Sequence, residues 1–308
     1  MPELPDLTVY AESLAAKVRG APLRRVRVLN AFVLRTAVPP IAAAEGRVVD
    51  SVDRMGKRIV IALSPAEVGS DSAPAGDELF IVIHLMLAGR LRWAAAGAKP
   101  RAQGALAHFE FDAGTLTLTE AGTRRRASIH LAAGRKALQA LDAGGLEVLT
   151  ASPEAFAAQL RAQHHTLKRA LAEPGIFSGI GNAYSDEILH RAKLSPLALA
   201  HKLDGDGVQR LFDASRTVLA DALDRLRAEA AAAGGWPKEV TAFRPEFAVH
   251  GRFKQPCPVC GSPVQRIVRG DRESNYCARC QTDGRLLADR ALSRLLHDSW
   301  PRHLDDLD

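Results

Sequence analysis

Cysteine is scarce in this sequence, and long apolar runs are missing from it. Only four of the 308 residues are cysteines, and all four lie near the C-terminal end. No run approaches the roughly 18–20 apolar residues that a membrane helix needs. The longest candidate, Leu79 to Ala88, is strand-sized and contains His84. The first residues, MPELPD, include two acids and no basic stretch before an apolar core, which argues against a secretory signal. We therefore expect a soluble, cytoplasmic protein without membrane contact.

Composition and charge are those of an ordinary globular protein. Apolar residues make up 47 % and charged residues 25 % of the chain, which argues against disordered and fibrous classes. The length corresponds to about two domains of roughly 100–200 residues, with room for a small module. The net charge is +6 and the isoelectric point is near 9.3. This mild basic excess permits a polyanionic partner without requiring one.

Residues 1–135 are predicted to form a β-rich domain with a leading helix. Pro5 and Asp6 suit a helix start, and Gly20 suits its end. Several strand-like runs follow, and Ala113-Gly114 separates two alternating segments as a hairpin turn does.

Residues 150–240 are predicted to be helical. Ser152 and Pro153 open a helical pattern that runs on toward Ala172. Two further helices are predicted, the first beginning near Asn182 and the second ending before a pair of glycines.

Several conspicuous side chains are assigned to packing or to the surface. Trp93, Trp236 and Phe243 are predicted to pack in the interior rather than to stack on bases. His164 and His165 have no partners at metal-ligand spacing and are predicted to lie on a helix surface.

The cysteines form two C-x2-C pairs, Cys257 with Cys260 and Cys277 with Cys280. In a chain without an export signal, two such pairs close together favour a metal site over disulfides. Four thiolates suit tetrahedral Zn²⁺ and leave no open position, so we expect one structural zinc ion. Residues 245–281 are thus predicted as a zinc finger, followed by a tail at 282–308. The alternative is four buried thiols without metal.

Two further local features are ambiguous by themselves. Gly179 to Asn182 leads into a predicted helix, where N–H groups and the helix dipole favour a phosphate, although an ordinary helix-packing turn explains it as well. Pro2 follows Met1, and removal of Met1 would leave a secondary amine able to attack a sugar C1′. Glu3 is placed to act beside it as an acid or base.

Taken together, the motifs are specific. MPELPD, Met55-Gly56-Lys57-Arg58, His84-Leu85, Gly179-Ile180-Gly181-Asn182 and Gly251-Arg252 occur in a fixed order before the cysteines. Over residues 1 to about 281 this order resembles the formamidopyrimidine-DNA glycosylase / endonuclease VIII family of base-excision repair enzymes. The resemblance implies an α+β fold with an N-terminal β-sandwich, a helix–two-turn–helix domain and a C-terminal β-hairpin zinc finger. DNA is then expected in the cleft between the domains.

The resemblance also assigns roles to single residues. It makes Pro2 the nucleophile that forms a Schiff base, Glu3 the group that assists sugar opening and proton transfer, and Lys57 a contact to the phosphate at the lesion. The expected DNA-binding residues hold phosphates or enter the space left by the flipped base, and they are His84, Arg125, Asn182 and Arg272.

The sequence departs from the family pattern in several places. Position 6 holds Asp6 where a glutamate is usual. Among the residues that fill the vacated base space, Leu87 stands at the methionine position beside Met86, and Arg126 stands where phenylalanine is expected. The lesion-capping segment looks short, and the tail is longer than the family requires. These differences weaken an assignment to 8-oxoguanine.

We therefore expect a monomeric, nucleoid-associated DNA glycosylase and apurinic/apyrimidinic lyase. Its expected substrate is double-stranded DNA with abasic sites or oxidised bases, which include formamidopyrimidine, 8-oxoguanine and oxidised pyrimidines. The alternative is a non-catalytic paralogue that binds damaged DNA in the same cleft, and retention of Met1 would favour it. A zinc-finger transcription regulator would account for the cysteines but would leave Pro2, Glu3 and Lys57 without a purpose.

Overall fold

The computed structural model describes residues 1–64, 78–122, 125–238, 244–269, 272–287 and 301–307. The α-helices within these ranges are α1 (Leu4–Val18), α2 (Gly134–Gln139), α3 (Pro153–Arg161), α4 (Leu167–Ala172), α5 (Asn182–Ala192), α6 (Gly205–Ala232) and α7 (Ala278–Thr282). The strands are β1 (Arg25–Val28), β2 (Val49–Met55), β3 (Arg58–Leu63), β4 (Leu79–His84), β5 (Gly89–Ala95), β6 (Ala105–Phe111), β7 (Gly114–Glu120), β8 (Ser128–Ala133), β9 (Gln265–Arg269) and β10 (Arg272–Tyr276).

The chain divides into two compact units, each built from two segments. The first unit comprises Met1–Ala143 and Leu223–Thr241, and the second comprises Gly144–Ala222 and Ala242–Asp308. Helix α6 contributes residues to both. The domain limits expected from the sequence remain predictions. No helix in the described ranges is both long and apolar enough to cross a lipid bilayer.

The first unit contains two four-stranded antiparallel sheets, in the orders β1-β6-β7-β5 and β2-β3-β4-β8. Their alternating apolar residues, such as Ile59, Ile81 and Leu116, form one fully buried core. Helix α1 adds Leu7 and Leu14 to that core, because its apolar positions recur at helical spacing. The predicted sandwich and its leading helix are confirmed.

The central strands β3 and β4 are apolar on both faces for a physical reason. Their second face carries Val60, Phe80 and Val82, which pack with Leu138 and Leu141 from the α2 segment. A strand covered on both sides reads as a continuous apolar run rather than as an alternation. The run from Leu79 is therefore an interior strand.

Aromatic side chains extend the core of the first unit. The rings of Trp93 and Trp236 lie 6.2 Å apart, and Trp236 lies 5.5 Å from Tyr10. Both tryptophans pack against the core, as predicted. Phe243 lies outside the described residues.

The single helix predicted from Ser152 toward Ala172 is wrong, because the structure forms two helices there. The side-chain oxygen of Thr166 accepts a bond from the Arg169 N–H at 3.4 Å and begins α4. Such a cap competes with continuation of the preceding helix. His164 and His165 consequently lie between helices and not on a helix surface.

The finger is an antiparallel hairpin of β9 and β10, in register from Arg272 opposite Arg269 to Tyr276 opposite Gln265. Part of the tail returns to this module. Leu304 is buried against Tyr276 and Leu286. The tail is thus attached to the finger at its last described residues.

Candidate functional site

The first residues of the chain form the cap of helix α1. Glu3 is the N-cap residue, and its N–H donates to Asp6 Oδ2 at 3.0 Å. The Glu3 side chain accepts in return from the Asp6 backbone, so both halves of a capping box are present. Both side chains are buried. The shorter carboxylate of Asp6 therefore still closes the cap that a glutamate would close.

The chain-terminal amine lies in a mainly desolvated and charged environment. Burial lowers the pKa of the Met1 amine, Glu3 and Asp6 oppose this effect, and the cations Arg90 and Lys57 add to it. This amine belongs to Met1, so the shift describes the surroundings of the chain terminus and not the amine of Pro2. Pro2, the next residue, is buried.

Lys57 occupies the two-residue turn between β2 and β3. The preceding Gly56 has a φ of 58°, a left-handed conformation that glycine adopts without strain. Lys57 is 8 % exposed, and its charge acts on the chain terminus. The structure thus brings the charge of Lys57 close to the chain terminus and Glu3.

Arg90 is a neighbour of the chain terminus that sequence reasoning missed. Its Nη1 donates to the backbone oxygens of Gly89 at 2.7 Å and Leu87 at 3.2 Å, and its charge also acts on Tyr10. The Tyr10 hydroxyl donates to the Leu91 oxygen at 3.3 Å, and burial raises its pKa to about 12. The only sequence signal was an arginine alternating with apolar residues in a predicted strand.

His84 ends strand β4 beside other cations. It lies opposite Arg58 on β3 and Ser128 on β8. Burial, followed by the charges of Arg58 and Lys57 and by His130, lowers the pKa of His84 to about 4. His84 is therefore neutral at pH 7 and offers one ring N–H as a donor.

The segment that carries Arg125 is held by a carboxylate. Glu120, which is 2 % exposed, accepts from the Arg126 N–H at 2.8 Å and from the Ala127 N–H at 3.0 Å. The side chains of Arg125 and Arg126 are exposed. A fixed backbone thus presents two arginines to solvent, and no aromatic ring stands at position 126.

The turn between β4 and β5 exposes the side chain of Leu87 to solvent. Leu87 is 65 % exposed. Met86 before it has a φ of 53°, an uncommon conformation for a residue with a side chain. The Cβ of any residue replacing Gly89 would lie 2.2 Å from the Leu85 oxygen, so the turn requires glycine there.

In the second unit, Asn182 is the first residue of helix α5. Its backbone oxygen accepts from Lys168 Nζ at 2.6 Å, and its side-chain Nδ2 donates to the Glu273 oxygen on β10 at 2.7 Å. A side-chain amide has two N–H donors. Asn182 therefore links α5 to the finger hairpin, and within the described residues only one of its two amide N–H groups is seen to donate.

A buried charged network surrounds the start of α5. Asp186 bonds Lys168 Nζ at 2.6 Å and His250 Nδ1 at 2.8 Å. Glu187 accepts from the N–H groups of Ala248 and His250 at 2.7 and 2.8 Å. Sequence reasoning missed all of these residues, since their partners lie far away along the chain.

The four cysteines meet at one point and fit a zinc ion. Their sulfurs all lie within 4.8 Å of one another, with 3.4 Å between Cys260 and Cys277 and 3.9 Å between Cys257 and Cys280. A tetrahedral ion with Zn–S bonds of about 2.3 Å separates its sulfurs by about 3.8 Å. These separations exclude disulfides and support one structural Zn²⁺. Buried His190 lies beside the site, 3.3 Å from the Cys257 sulfur.

Arg272 is the first residue of β10 and pairs with Arg269 in the hairpin. Its side chain lies outside the described part of the structure, so its phosphate contact remains a prediction. Electrostatic interactions link Glu3, Lys57 and His84 near the start of α1, and Asn182 lies beside the finger. Arg125 lies in the segment after β7 and, among the described residues, is not shown to contact either group.

Three family models match successive parts of the chain. The Formamidopyrimidine-DNA glycosylase N-terminal domain matches residues 1–129. The Formamidopyrimidine-DNA glycosylase H2TH domain matches residues 147–231. The Zinc finger found in FPG and IleRS matches residues 254–282.

Curated proteins and solved structures resemble the chain over most of its length. The formamidopyrimidine-DNA glycosylase of an Acidovorax species is 34 % identical, and the match covers 91 % of this chain and 99 % of that protein. An uncharacterized formamidopyrimidine-DNA glycosylase-like protein of Mycobacterium tuberculosis is 41 % identical over 49 % of this chain and 93 % of its own length. The crystal structure of the MutM (Fpg) protein of Thermus thermophilus has a TM-score of 0.72 at 30 % identity, and the match covers 91 % of this chain and 98 % of that one.

The fold is also similar to a structure that contains DNA. The Lactococcus lactis Fpg, in complex with an abasic-site-containing DNA, matches with a TM-score of 0.75 at 23 % identity. That match covers 91 % of this chain and 99 % of the other.

Proposed function

The chain belongs to the formamidopyrimidine-DNA glycosylase family, and from that premise we propose that it is a DNA glycosylase with abasic-site lyase activity. Its proposed substrate is double-stranded DNA with oxidised bases or abasic sites. One observation carries the proposal: Pro2 and Glu3 are buried at the start of the chain, where the charges of Lys57 and Arg90 also act. We expect the protein to act as a monomer in the cytoplasm, on nucleoid DNA.

The proposed reaction starts after removal of Met1. The lone pair of the Pro2 nitrogen attacks C1′ of the deoxyribose, and the bond from C1′ to the base breaks, so the base leaves with the electron pair. Loss of the amine proton and opening of the sugar ring give an iminium at C1′. Glu3 is the acid and base that moves these protons. Loss of a C2′ proton to a base then gives an enamine, the C3′–O bond breaks, and the 3′ phosphate leaves with the electron pair, which cuts the strand.

The target nucleotide must first leave the base stack, at a cost of a few kcal/mol. Lys57 lies beside the chain terminus, where an ammonium group can hold the phosphate of the flipped nucleotide. Neutral His84 offers one donor to a neighbouring phosphate, and Asn182 and Arg272 supply donors from the second unit. Arg125 is proposed to enter the space that the base leaves.

The zinc site supports binding and takes no part in the proposed chemistry. Four thiolates fill the coordination shell of the ion, so no position is open to a substrate. Zinc held by the four thiolates would instead fix the finger hairpin, whose strand β10 carries the Glu273 oxygen that accepts from Asn182.

Borohydride trapping on a duplex with an abasic site tests the proposal. The hydride reduces the iminium to a stable amine, so wild-type protein is expected to form a covalent adduct with DNA. Pro2→Gly is expected to lower the adduct yield sharply, because a primary amine replaces the ring amine. Mass spectrometry of the purified protein checks whether Met1 has been removed.

A matched control keeps the result interpretable. Pro5→Ala, on the first turn of α1, leaves the terminal amine in place and is expected to trap DNA as the wild type does. Absence of an adduct from the wild type, across abasic, oxidised-purine and oxidised-pyrimidine duplexes, would defeat the proposal. Tight binding of these duplexes without an adduct would instead support the non-catalytic alternative.

A further inference from the structure

Phe32 is exposed where other phenylalanines of the chain are buried. Its side chain is 83 % exposed. Seven others, at positions 80, 109, 111, 156, 177, 212 and 247, are between 0 and 6 % exposed. A single exposed apolar side chain is common on protein surfaces, so the meaning of this ring depends on the residues around it.

The turn that presents Phe32 is well anchored. The Asn30 side-chain oxygen accepts from the Phe32 N–H at 3.1 Å, and the N–H groups of Leu29 and Asn30 both donate to the Leu106 oxygen. The next residue, Val33, is 3 % exposed and packs into the core. The exposed ring therefore stands on a fixed base.

Phe32 and Arg125 line the same cavity. It has a volume of about 230 Å³, and its lining residues are Asn30, Phe32, Val33, Leu106, Arg125 and Ala127. This is smaller than the roughly 300–1,000 Å³ of typical small-molecule pockets, so a single planar ring suits it better than an extended ligand.

The chemistry of this cavity fits a nucleobase. It combines an aromatic face, a guanidinium group and a side-chain amide, and none of its six lining residues is acidic. Arg35 and Arg126 nearby in the chain are also exposed, which favours a polyanion over a neutral apolar partner. Bases stack on aromatic rings, and arginine donates to their edges.

We propose that Phe32 is a DNA-contacting residue that stacks on the unpaired base opposite the lesion, in the cavity that it shares with Arg125. This inference rests on the proposed function. Phe32 supplies an aromatic surface in a chain that has Arg126 where the family pattern places a phenylalanine. Because the ring belongs to a short 3-10 helix, Ala31–Val33, and not to the Arg125 segment, its position is independent of that substitution.

Equilibrium binding of Phe32→Ala tests the role of the ring. The ligand is a duplex with a tetrahydrofuran abasic analogue opposite cytosine, and wild-type protein and Phe32→Trp are measured in parallel. Loss of one base–aromatic stack is expected to raise the Kd by about 5- to 100-fold, whereas tryptophan retains binding. The slope of log Kd against log salt is expected to stay unchanged, because the ring contacts no phosphate.

A second duplex identifies the contacted base. Its opposite strand also carries the abasic analogue, so no base is left to stack on the ring. There the difference between wild type and Phe32→Ala is expected to disappear. Leu197→Ala, a change at an apolar residue that is 43 % exposed, is the control and is expected to bind as wild type does.

Three results would overturn the inference. Equal binding by wild type and Phe32→Ala would exclude a contact, and an equal loss on both duplexes would place the contact elsewhere. Wild-type protein that binds no damaged duplex would defeat the proposed function along with this inference, so the two failures are distinguishable. Because Phe32 is mostly exposed, its variants are expected to melt at the wild-type temperature, which calorimetry checks.

Discussion

The start of helix α1 and the start of helix α5 are held in place in different ways. At α1, Glu3 and Asp6 bond one another across three residues of sequence. At α5, Asn182 is held by Lys168 and by the Glu273 oxygen, which are 14 and 91 residues away. The first arrangement is closed by the local chain, whereas the second depends on packing of the whole unit.

This difference separates two kinds of constraint. A capping box forms wherever its few residues enter a helix together. A buried network such as that of Lys168, Asp186 and His250 forms only when distant elements meet, and each charge then needs its partner. We therefore expect changes at α5 and the finger to affect stability, and changes at α1 to affect chemistry.

Removal of zinc is expected to have the largest effect. Zinc binding contributes about 10–16 kcal/mol in isolated zinc-finger peptides, so a strong chelator or Cys277→Ser should unfold the β9–β10 hairpin. Hydrogen exchange should then show loss of protection at the hairpin amides, together with loss of DNA binding. Protection of α1 should persist. A hairpin that stays protected without metal would contradict a structural zinc.

Glu3→Gln tests whether the start of α1 serves the reaction rather than stability. Glutamine still accepts the Asp6 N–H, so the cap remains, but proton transfer is lost. We expect base excision to slow by about 10²- to 10⁴-fold with little change in DNA affinity. Glu12→Gln, on the same helix and paired with Arg227, should excise at the wild-type rate. A Glu3→Gln variant as fast as the wild type would remove Glu3 from the mechanism.

Asp186→Asn tests the buried network at the start of α5. It leaves Lys168 buried without its counterion, and such a change typically costs about 3–5 kcal/mol. Chemical denaturation should show a lower free energy of unfolding, and DNA affinity should fall because Asn182 loses its support. Asp224→Asn, at a side chain that is 79 % exposed, is the control. An unchanged free energy of unfolding would mean that the network does not hold α5.

The lowered pKa of His84 predicts how the free energy of unfolding changes with pH. This pKa is about 4 in the folded protein and about 6.5 in an unfolded chain. As the pH falls, His84 therefore binds a proton in the unfolded chain before it does so in the folded protein. The stabilisation that comes from neutral His84 is fully present above pH 6.5 and is lost as the pH falls toward 4. His84→Gln should flatten the stability profile in that window. A proton NMR titration with a His84 midpoint near 6.5 would contradict this.

Leu304→Ala is expected to have the smallest effect. Leu304 is 9 % exposed and packs on Tyr276 and Leu286, so truncation should cost about 2 kcal/mol. Exchange should increase at the Leu304 amide, which donates to the Gly284 oxygen at 2.9 Å, while the finger keeps its protection. Equal loss throughout the finger would show that the tail is part of its core.

The sequence predicted much of the fold because its signals are local. Apolar periodicity indicated the strands and most helices, and the C-x2-C spacing indicated the zinc site, which the clustered sulfurs confirm. The break before Thr166 was missed, because a capping threonine inside an apolar pattern resembles a helix interior. Arg90 and Glu120 were missed as well, since nothing in their own segments shows what they contact.

By itself, the sequence determined which residue types stand next to one another: the Pro2-Glu3 start, the glycine before Lys57 and the paired cysteines. Only the tertiary structure decided which of them meet. It placed Lys57 and Arg90 near the chain terminus and gathered Lys168, Asp186 and His250 around α5. The reason is physical: turns, caps and metal knuckles are closed by neighbouring residues, whereas buried charges find their partners only when burial brings separate elements together.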